Sequence, residues 1–278
     1  MNYLVSKTKG VQGEFFKVLS SEKDIYLIPQ NLENGVPYSP SYKLEEDEWF
    51  TIDDFSNKEF YIEFLSRTFI STDYNQVTKQ NYSKLEYLCS VQGGTYFFQK
   101  IYESNLIKKK FLSMSATPVL VDSENEPILI LNKIPDAIYD KDFDLLYFKK
   151  LSALTSIFRG IETLYKEATQ GETEQFLKND FIRLEEGYNV NKVKTANRKR
   201  IALAMDTLGT YSPQDQQSIF AYTKEYCGEL QYDENQKFFR IKSEDDLKKL
   251  LYGIEQRYYT TLLGNEKRLA NSVMVLNN

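Results

Sequence analysis

The sequence contains no histidine and only two cysteines, Cys89 and Cys227, in 278 residues. Without imidazole groups, Ser-His catalysis, Cys-His catalysis and histidine-ligated zinc are all excluded. Two cysteines do not make a disulfide framework, so a reducing cytoplasm fits them best. No histidine is present to activate either thiol, and we therefore expect both cysteines to pack as apolar side chains.

Long apolar runs and phosphate-binding loops are missing as well. No apolar run reaches the roughly 18 residues that a membrane span needs, and the N-terminal segment has no apolar core of signal-peptide length. Neither G-x-x-x-x-G-K-[ST] nor G-x-G-x-x-G occurs, and the one glycine pair, Gly93-Gly94, is typical of a turn before a strand. We therefore predict a cytoplasmic protein that uses no cofactor and hydrolyses no nucleotide.

The composition that remains is that of a globular protein, with 41% hydrophobic and 27% charged residues. In the first half, short segments rich in aromatic and β-branched residues predict strands. These segments cover residues 14–19, 24–28, 49–52, 59–65 and 95–102. Two apolar runs, 117–122 and 127–131, flank four turn-forming residues and predict a hairpin.

In the second half, apolar residues recur at spacings of three and four, which is the pattern of amphipathic helices. This spacing predicts helices over 151–165, about 173–186 and about 191–208, with two more that open at Ser212 and Ser243. A hairpin is predicted at 229–241. The sequence therefore predicts an α+β fold, with a β-rich N-terminal domain over 1–135 and a mainly helical C-terminal domain over 145–278.

Positive charge is unevenly distributed along the chain. Residues 1–150 hold 17 Lys and Arg against 22 Asp and Glu, whereas residues 151–278 hold 18 of each. Seven of the eight arginines lie in the second half. Because arginine makes forked contacts to phosphate and carboxylate groups, an anion-binding surface is expected there. The alternative is that arginine is enriched because it is a good helix former.

One segment of the second half is basic throughout. No acidic residue occurs between Glu186 and Asp206, and this interval carries five positive charges. We call these residues the basic strip: Lys192, Lys194, Arg198, Lys199 and Arg200. A strip of this kind is suited to contact nucleic-acid phosphates. The alternative is a solvated helix face beside a loop.

Four aspartates lie close together before the first predicted helix: Asp136, Asp140, Asp142 and Asp144. The last three resemble the opening of a calcium loop, but leucines occupy the positions that require glycine and glutamate. Asp136 follows a proline, as in restriction-type nucleases, yet no [DE]-x-K follows before Asn191. We predict a solvated acidic loop and no metal site, with a metal-dependent phosphodiester-cleaving enzyme as the alternative.

From Pro127 onward, three segments carry a family resemblance. They are Ile128-Leu-Ile-Leu-Asn132 before a helix with Ile157-Phe158, the basic Asn197-Arg-Lys-Arg-Ile201, and the run from Ser243 to Leu251 with the later Tyr258-Tyr-Thr-Thr-Leu-Leu263. In these segments the chain resembles a prokaryotic family first described as a domain of unknown function. That family includes the B subunit of the Kiwa anti-phage defence system. The resemblance implies a cytoplasmic defence protein that binds duplex DNA, works with a membrane partner subunit and forms a homodimer.

The leading hypothesis is therefore a non-catalytic DNA-binding or scaffold protein of a prokaryotic anti-phage defence system. The basic strip is its candidate nucleic-acid-binding site. Two alternatives stay open, the metal-dependent enzyme that would use the aspartates of residues 136–144 and a protein-interaction module that binds no nucleic acid.

We expect the purified protein to cleave neither plasmid nor oligonucleotide DNA in the presence of Mg²⁺ or Mn²⁺, because the sequence holds no complete catalytic constellation. Gel assays with and without the metal ions measure this. Metal-dependent cleavage that disappears in Asp136→Ala would contradict the prediction.

Overall fold

The computed structural model of the protein describes residues 1–10, 15–107, 109–122, 128–164 and 167–274. The chain forms two compact units: unit 1 comprises Met1–Ser39 and Leu44–Glu162, and unit 2 comprises Pro40–Lys43 and Thr163–Asn278. The sequence places a domain division between residues 135 and 145, whereas the units divide at Glu162, because residues 137–148 form two strands of the sheet in unit 1. Most strands lie in the first half and most helical residues in the second, which confirms the predicted α+β class.

Unit 1 is built on a large sheet and several short strand pairs. Its strands are β1 Asn2–Thr8, β2 Phe15–Ser21, β3 Gly35–Pro37, β4 Trp49–Ile52, β5 Leu85–Gln92, β6 Thr95–Lys100, β7 Leu106–Ile107, β8 Phe111–Ser113, β9 Val119–Val121, β10 Ile128–Leu129, β11 Ala137–Asp140 and β12 Leu145–Phe148. Two short α-helices accompany them, α1 Glu63–Ser66 and α2 Leu151–Leu154.

The large sheet has eight strands in the order β2-β1-β5-β6-β11-β12-β4-β3. All neighbours are antiparallel except β3 and β4, which run parallel. Side chains alternate between the two faces, so each central strand contributes to the core above and below the sheet. One face carries a buried cluster that comprises Leu4, Tyr26, Trp49, Leu88, Phe97 and Ile138.

The turn prediction for the glycine pair is confirmed. Gly93 and Gly94 connect β5 to β6, and Gly93 has a φ of 62°, which favours glycine. The predicted hairpin over 117–131 is wrong, because β9 pairs with β8 and β10 pairs with β7 instead of with each other. Residues 123–127, where its turn was expected, lie outside the described residues.

The predicted helix over 151–165 is also wrong. Helix α2 ends at Leu154, and Gly160 follows with a φ of 96° that a regular helix does not allow. A short 3₁₀ turn at Ile161–Leu164 completes this stretch. The apolar residues responsible for the helical spacing are nevertheless buried, among them Leu154, Ile157, Phe158 and Ile161. The spacing therefore reported burial correctly and backbone conformation incorrectly.

Unit 2 packs helices against a small sheet in the order β13-β15-β14. Its elements are α3 Gln170–Leu177, β13 Ile182–Leu184, α4 Thr195–Thr210, α5 Pro213–Tyr226, β14 Tyr232–Asp233, β15 Phe238–Ile241, α6 Glu244–Ile254, β16 Tyr258–Thr260 and β17 Lys267–Leu269. The predicted helix over 173–186 stops at Leu177, since residues 182–184 pair with β15 as a strand. In the described ranges, no helix has the length and apolar character that crossing a membrane requires.

Two helix starts in unit 2 are confirmed by their caps. The hydroxyl of Ser212 accepts a hydrogen bond from the amide of Asp215 at 3.2 Å, and that of Ser243 accepts one from Asp246 at 3.1 Å. Such caps satisfy amide groups that have no partner within the helix. Helix α6 therefore begins where the sequence indicates, and it carries the aromatic residue on which the candidate site depends.

Helices α5 and α6 approach closely because Gly253 has no side chain. A Cβ at this position would lie 2.1 Å from the hydroxyl oxygen of Thr223, which is buried and donates to the carbonyl of Ile219 at 2.8 Å. Rotation of the Thr223 side chain does not relieve this contact, because the Cβ of Thr223 itself lies only 2.7 Å from the added Cβ. A glycine is required here for packing.

We expect Gly253→Ala to lower the free energy of unfolding by about 1–3 kcal/mol, since it overfills the contact between the two helices. Gly209→Ala is the matched control, because Gly209 is also in a helix and nothing lies within 4 Å of a Cβ there. The control should be neutral or stabilising by up to about 1 kcal/mol. Urea unfolding of both variants measures the difference, and equal stabilities would show that α5 and α6 do not pack as described.

Candidate nucleic-acid interface

The structure places the basic strip at the beginning of α4. Lys192 ends a 3₁₀ turn, Lys194 is the residue that precedes the helix, and the other three members lie in its first two turns. The helix was predicted to start near residue 191 but starts at Thr195. The reason is local, because the side chain of Asn189 accepts from the amide of Asn191 at 3.0 Å and holds the 3₁₀ turn.

Helix geometry divides the basic strip into two groups. Thr195, Lys199 and Leu203 are four residues apart and share one face of α4 with Ala196 and Arg200. Arg198 lies about 100° around the helix from Lys199 on the side opposite to Arg200, outside the face that contains Thr195 and Ala196, and its Nε donates to the carbonyl of Val193 at 3.3 Å. The structure therefore brings Lys199 and Arg200 together, and it places Lys192, Lys194 and Arg198 elsewhere.

The face with Lys199 and Arg200 forms one wall of a cavity of about 490 Å³, which we call the basic pocket. Every residue of its described lining belongs to unit 2. The lining comprises Pro40, Ser41, Tyr42, Lys43, Thr195, Ala196, Lys199, Arg200, Leu203, Tyr252, Arg257 and Asn271. Four of these side chains are cationic, and none of the described lining residues is acidic.

Arg200 is held in place by several contacts. Its guanidinium donates to the carbonyl of Ala196 at 3.0 Å, to the side-chain oxygen of Asn197 at 3.1 Å and to the hydroxyl of Tyr252 at 3.1 Å. It also lies over the ring of Tyr252, 4.9 Å from the centroid. These three hydrogen-bond partners are neutral oxygens, and together with the ring they fix the orientation of the guanidinium.

Arg257 contributes a second guanidinium, from the segment that follows α6. Its side chain is 7% exposed and lies over the same Tyr252 ring at 5.1 Å. It donates to the carbonyl of Asn271 at 3.2 Å and is paired with Glu255, whose side chain is 9% exposed. Burial raises the pKa of the Glu255 carboxyl, and the nearby Arg257 partly opposes that shift.

The remaining cations, Lys43 and Lys199, are far apart in the sequence. Burial lowers the pKa of the Lys199 ammonium group, because removal from water disfavours its charged form. Lys43 belongs to the segment 40–43, which two hydrogen bonds attach to the C-terminal part of unit 2. The amide of Lys43 donates to Ser272 Oγ at 2.9 Å, and the amide of Val273 donates to the carbonyl of Ser41 at 3.2 Å.

The start of α4 adds backbone donors to the pocket lining. Lys194 occupies the capping position and provides no side-chain cap, in contrast to Ser212 and Ser243. Within the described residues, the amides of Thr195 and Ala196 make no hydrogen bond, although Glu244 accepts from the amide of Lys194. Unpaired amides at a helix start carry partial positive charge, so they add to the field of the four side chains.

Sequence reasoning missed Lys43, Tyr252 and Arg257. No local pattern marks them, because they are far apart in sequence from α4. One signal was present, namely the excess of arginine in the second half. Of the eight arginines, only Arg198 and Arg200 lie within an α-helix, so helix propensity does not explain that excess.

The aspartates of residues 136–144 lie in unit 1 and are engaged in the β11–β12 hairpin. Asp136 accepts from the amide of Lys100 at 2.7 Å, and Asp140 accepts from the amide of Asp142 at 3.0 Å. Asp144 accepts from the hydroxyls of Ser56 and Tyr139. Burial alone would raise the pKa of Asp144, but these hydrogen bonds bring it below its usual value. The described ranges contain no group of three residues able to hold a metal ion.

Both cysteines are buried, as predicted. Cys89 lies in the core of the large sheet and Cys227 lies at the end of α5. Burial raises the pKa of each thiol, which keeps both in the neutral and unreactive form.

In comparisons with known proteins, no family model, no curated protein and no solved structure matches this chain. The assignment of function therefore depends on the geometry and charge of the basic pocket, together with the resemblance noted in the sequence.

We expect Arg257→Gln to destabilise the protein in a pH-dependent manner, because it leaves the buried Glu255 carboxylate without its partner. The folded-state pKa of Glu255, already raised, rises further above its unfolded value. The extra loss of stability should therefore be small near pH 5 and grow to about 3 kcal/mol as the pH rises towards 8. Urea unfolding across this range measures it. The double variant Glu255→Gln/Arg257→Gln should lose this pH dependence, and a deficit that is equal at all pH values would contradict the coupling.

Proposed function

We propose that the protein is a non-catalytic nucleic-acid-binding protein that contacts DNA phosphates through the basic pocket of unit 2. The observation that carries the proposal is the convergence of Lys43, Lys199, Arg200 and Arg257 on one cavity without an acidic residue in its described lining. Phosphate is the anion that such a set of forked and point-charge donors suits best.

The net charge of the whole protein limits where nucleic acid can bind to it. With a net charge of −5 and a pI of about 5.2, the protein as a whole repels nucleic acid. Attraction is therefore confined to the basic pocket, where a local positive field outweighs the net charge. Contacts to phosphates alone carry no base recognition, so the binding should be strongly salt-dependent and largely indifferent to sequence.

The resemblance to the Kiwa B-subunit family supplies the biological part of the proposal. On that basis the protein acts in the cytoplasm in anti-phage defence, with duplex DNA as its ligand, a membrane partner subunit and a second copy of itself. The resemblance rests partly on the segments Asn197–Ile201 and Ser243–Leu251, and these contribute Lys199 and Arg200 and border Tyr252.

A protein-interaction module is the second candidate function, and one observation favours it. Leu262 and Leu263 are 94% and 86% exposed in the turn between β16 and β17. Two adjacent leucines exposed at a turn are suited to insertion into a partner. Failure of the wild-type protein to bind DNA at low salt would favour this function over the first.

We expect Lys43→Gln/Lys199→Gln to weaken binding to a short linear duplex and to reduce the slope of log affinity against log salt by about 2, since each lost phosphate contact removes about 0.9. Titration of labelled duplex at several salt concentrations measures the slope. Arg257 is left unchanged because it holds a buried carboxylate.

The matched control is Lys192→Gln/Lys194→Gln, which removes the same charge from the basic strip outside the pocket. It should leave the slope close to that of the wild type, and both variants should keep the wild-type thermal midpoint. An equal reduction in both would show that binding follows total charge, and an unchanged slope in the pocket variant would contradict the proposal.

A further inference from the structure

A negative charge adjoins the cationic lining of the basic pocket, namely the carboxylate of Glu255. Glu255 is not itself part of the described lining, but its Oε2 accepts a hydrogen bond from Nε of Arg257, which is. Its charge also attracts Arg200, the other guanidinium of the lining. Both guanidiniums that would contact a phosphate therefore already interact with one carboxylate.

The end of α6 places Glu255 and Arg257 beside each other. The amide of Arg257 donates to the carbonyl of Tyr252 at 3.0 Å. The amide of Gln256 donates to the carbonyl of Gly253 at 2.9 Å, and the two bonds together form a Schellman motif. Gln256 has a φ of 53°, in the left-handed region that this motif requires and that favours glycine. The backbone turn thus fixes the pairing of Glu255 with Arg257 next to the pocket.

These contacts satisfy the Glu255 carboxylate only in part. Its side chain is 9% exposed, and its other oxygen, Oε1, is buried without a hydrogen-bond partner among the described residues. A buried carboxylate needs several donors to offset its removal from water. Burial accordingly raises the pKa of Glu255, and the attraction of Arg257 and Arg200 opposes that shift. The charged form of Glu255 therefore depends on the two guanidiniums for its stability.

A bound phosphate draws on the same two guanidiniums. Each cation that directs its donors and its field to the ligand stabilises the carboxylate less, and the two anions repel each other. A second negative charge close to a carboxylate disfavours its ionised form. Phosphate binding and ionisation of Glu255 thus oppose each other.

We propose that Glu255 is an autoinhibitory counter-ion, which competes with DNA phosphate for Arg200 and Arg257. The inference rests on the proposed function of the basic pocket and adds a form of regulation to it. When the carboxyl of Glu255 takes up a proton, its charge is lost, and both guanidiniums act on the ligand alone. DNA binding is thereby coupled to proton uptake, and the affinity rises as the pH falls.

The composition of the chain makes this coupling measurable. Because the protein has no histidine, few of its groups titrate between about pH 5 and about pH 8, and the diester phosphates of DNA stay charged throughout. The other titratable side chains in the pocket and around its aromatic ring are amines, guanidiniums or phenols: Tyr42, Lys43, Lys199, Arg200, Lys248, Tyr252 and Arg257. Burial lowers the pKa of Lys199 towards this range, so a variant of Glu255 alone is needed to separate the two groups.

The test measures the affinity of a short, internally labelled duplex between about pH 5.5 and about pH 8 at constant salt. The duplex has hydroxyl ends, because a terminal phosphate monoester would itself titrate near pH 6. Fluorescence anisotropy should show that the wild-type affinity rises about tenfold as the pH falls, the effect of a difference of about one unit between the pKa of Glu255 in the complex and in the free protein.

The decisive variant is Glu255→Gln, which keeps an oxygen acceptor for Arg257 and removes the charge. It should bind about tenfold more tightly than the wild type at about pH 8 and lose most of the pH dependence. Glu234→Gln is the matched control, because it removes the same charge from an exposed residue of unit 2 that pairs with Lys224 outside the pocket. The control should keep the pH dependence of the wild type.

A second measurement needs no variant and so does not depend on how Glu255→Gln folds. Isothermal titration calorimetry of the wild type with the same duplex, at about pH 6 in buffers of different ionisation enthalpy, should show net uptake of protons on binding.

The outcomes distinguish this inference from the function on which it rests. Equal affinity of Glu255→Gln and the wild type at the alkaline end of the range, or proton release on binding, would overturn the inference and leave DNA binding intact. A pH dependence that persists unchanged in Glu255→Gln would also overturn it and assign the titration to another group. The absence of binding to the duplex at low salt would overturn the proposed function itself.

Discussion

The candidate site depends on one aromatic side chain. The ring of Tyr252, buried on α6, has the guanidinium of Arg200 at 4.9 Å and that of Arg257 at 5.1 Å. Lys248 lies 5.5 Å from the same ring. Three cations at this spacing repel one another, and the negative face of the ring offsets part of that repulsion. The ring thereby allows elements from separate parts of unit 2 to present positive charge together.

This arrangement concentrates four positive side chains around one pocket of the folded protein. The Glu255 carboxylate pairs with Arg257 and also attracts Arg200, whose own hydrogen bonds go to neutral oxygens. Burial also disfavours the charged form of Lys199 and lowers its pKa. An anionic ligand would relieve both effects at once. Sites whose groups are held in electrostatically unfavourable positions are more often functional than structural, because stability alone would not select them.

Local signals predicted the parts of the fold that local chemistry determines. The caps at Ser212 and Ser243 and the turn at Gly93 depend on residues within a few positions of one another, and all three were predictable. The helix expected after Leu151 failed, because Gly160 breaks the backbone while burial continues on both sides of it. Apolar spacing reports which residues are buried more directly than it reports the path of the chain.

Only part of the candidate site could be predicted from the sequence, because only part of it depends on residues that are close together in the chain. Lys199 and Arg200 are neighbours in a basic segment, so the composition of that segment identified them. The same composition also pointed to three residues that lie outside the pocket because of helix geometry and local hydrogen bonds, namely Lys192, Lys194 and Arg198. Lys43 reaches the pocket only because residues 40–43 join unit 2 by pairing near residue 273. Such a contact has no local sequence signal, yet it adds a second wall beside the basic face of α4 and so creates the basic pocket.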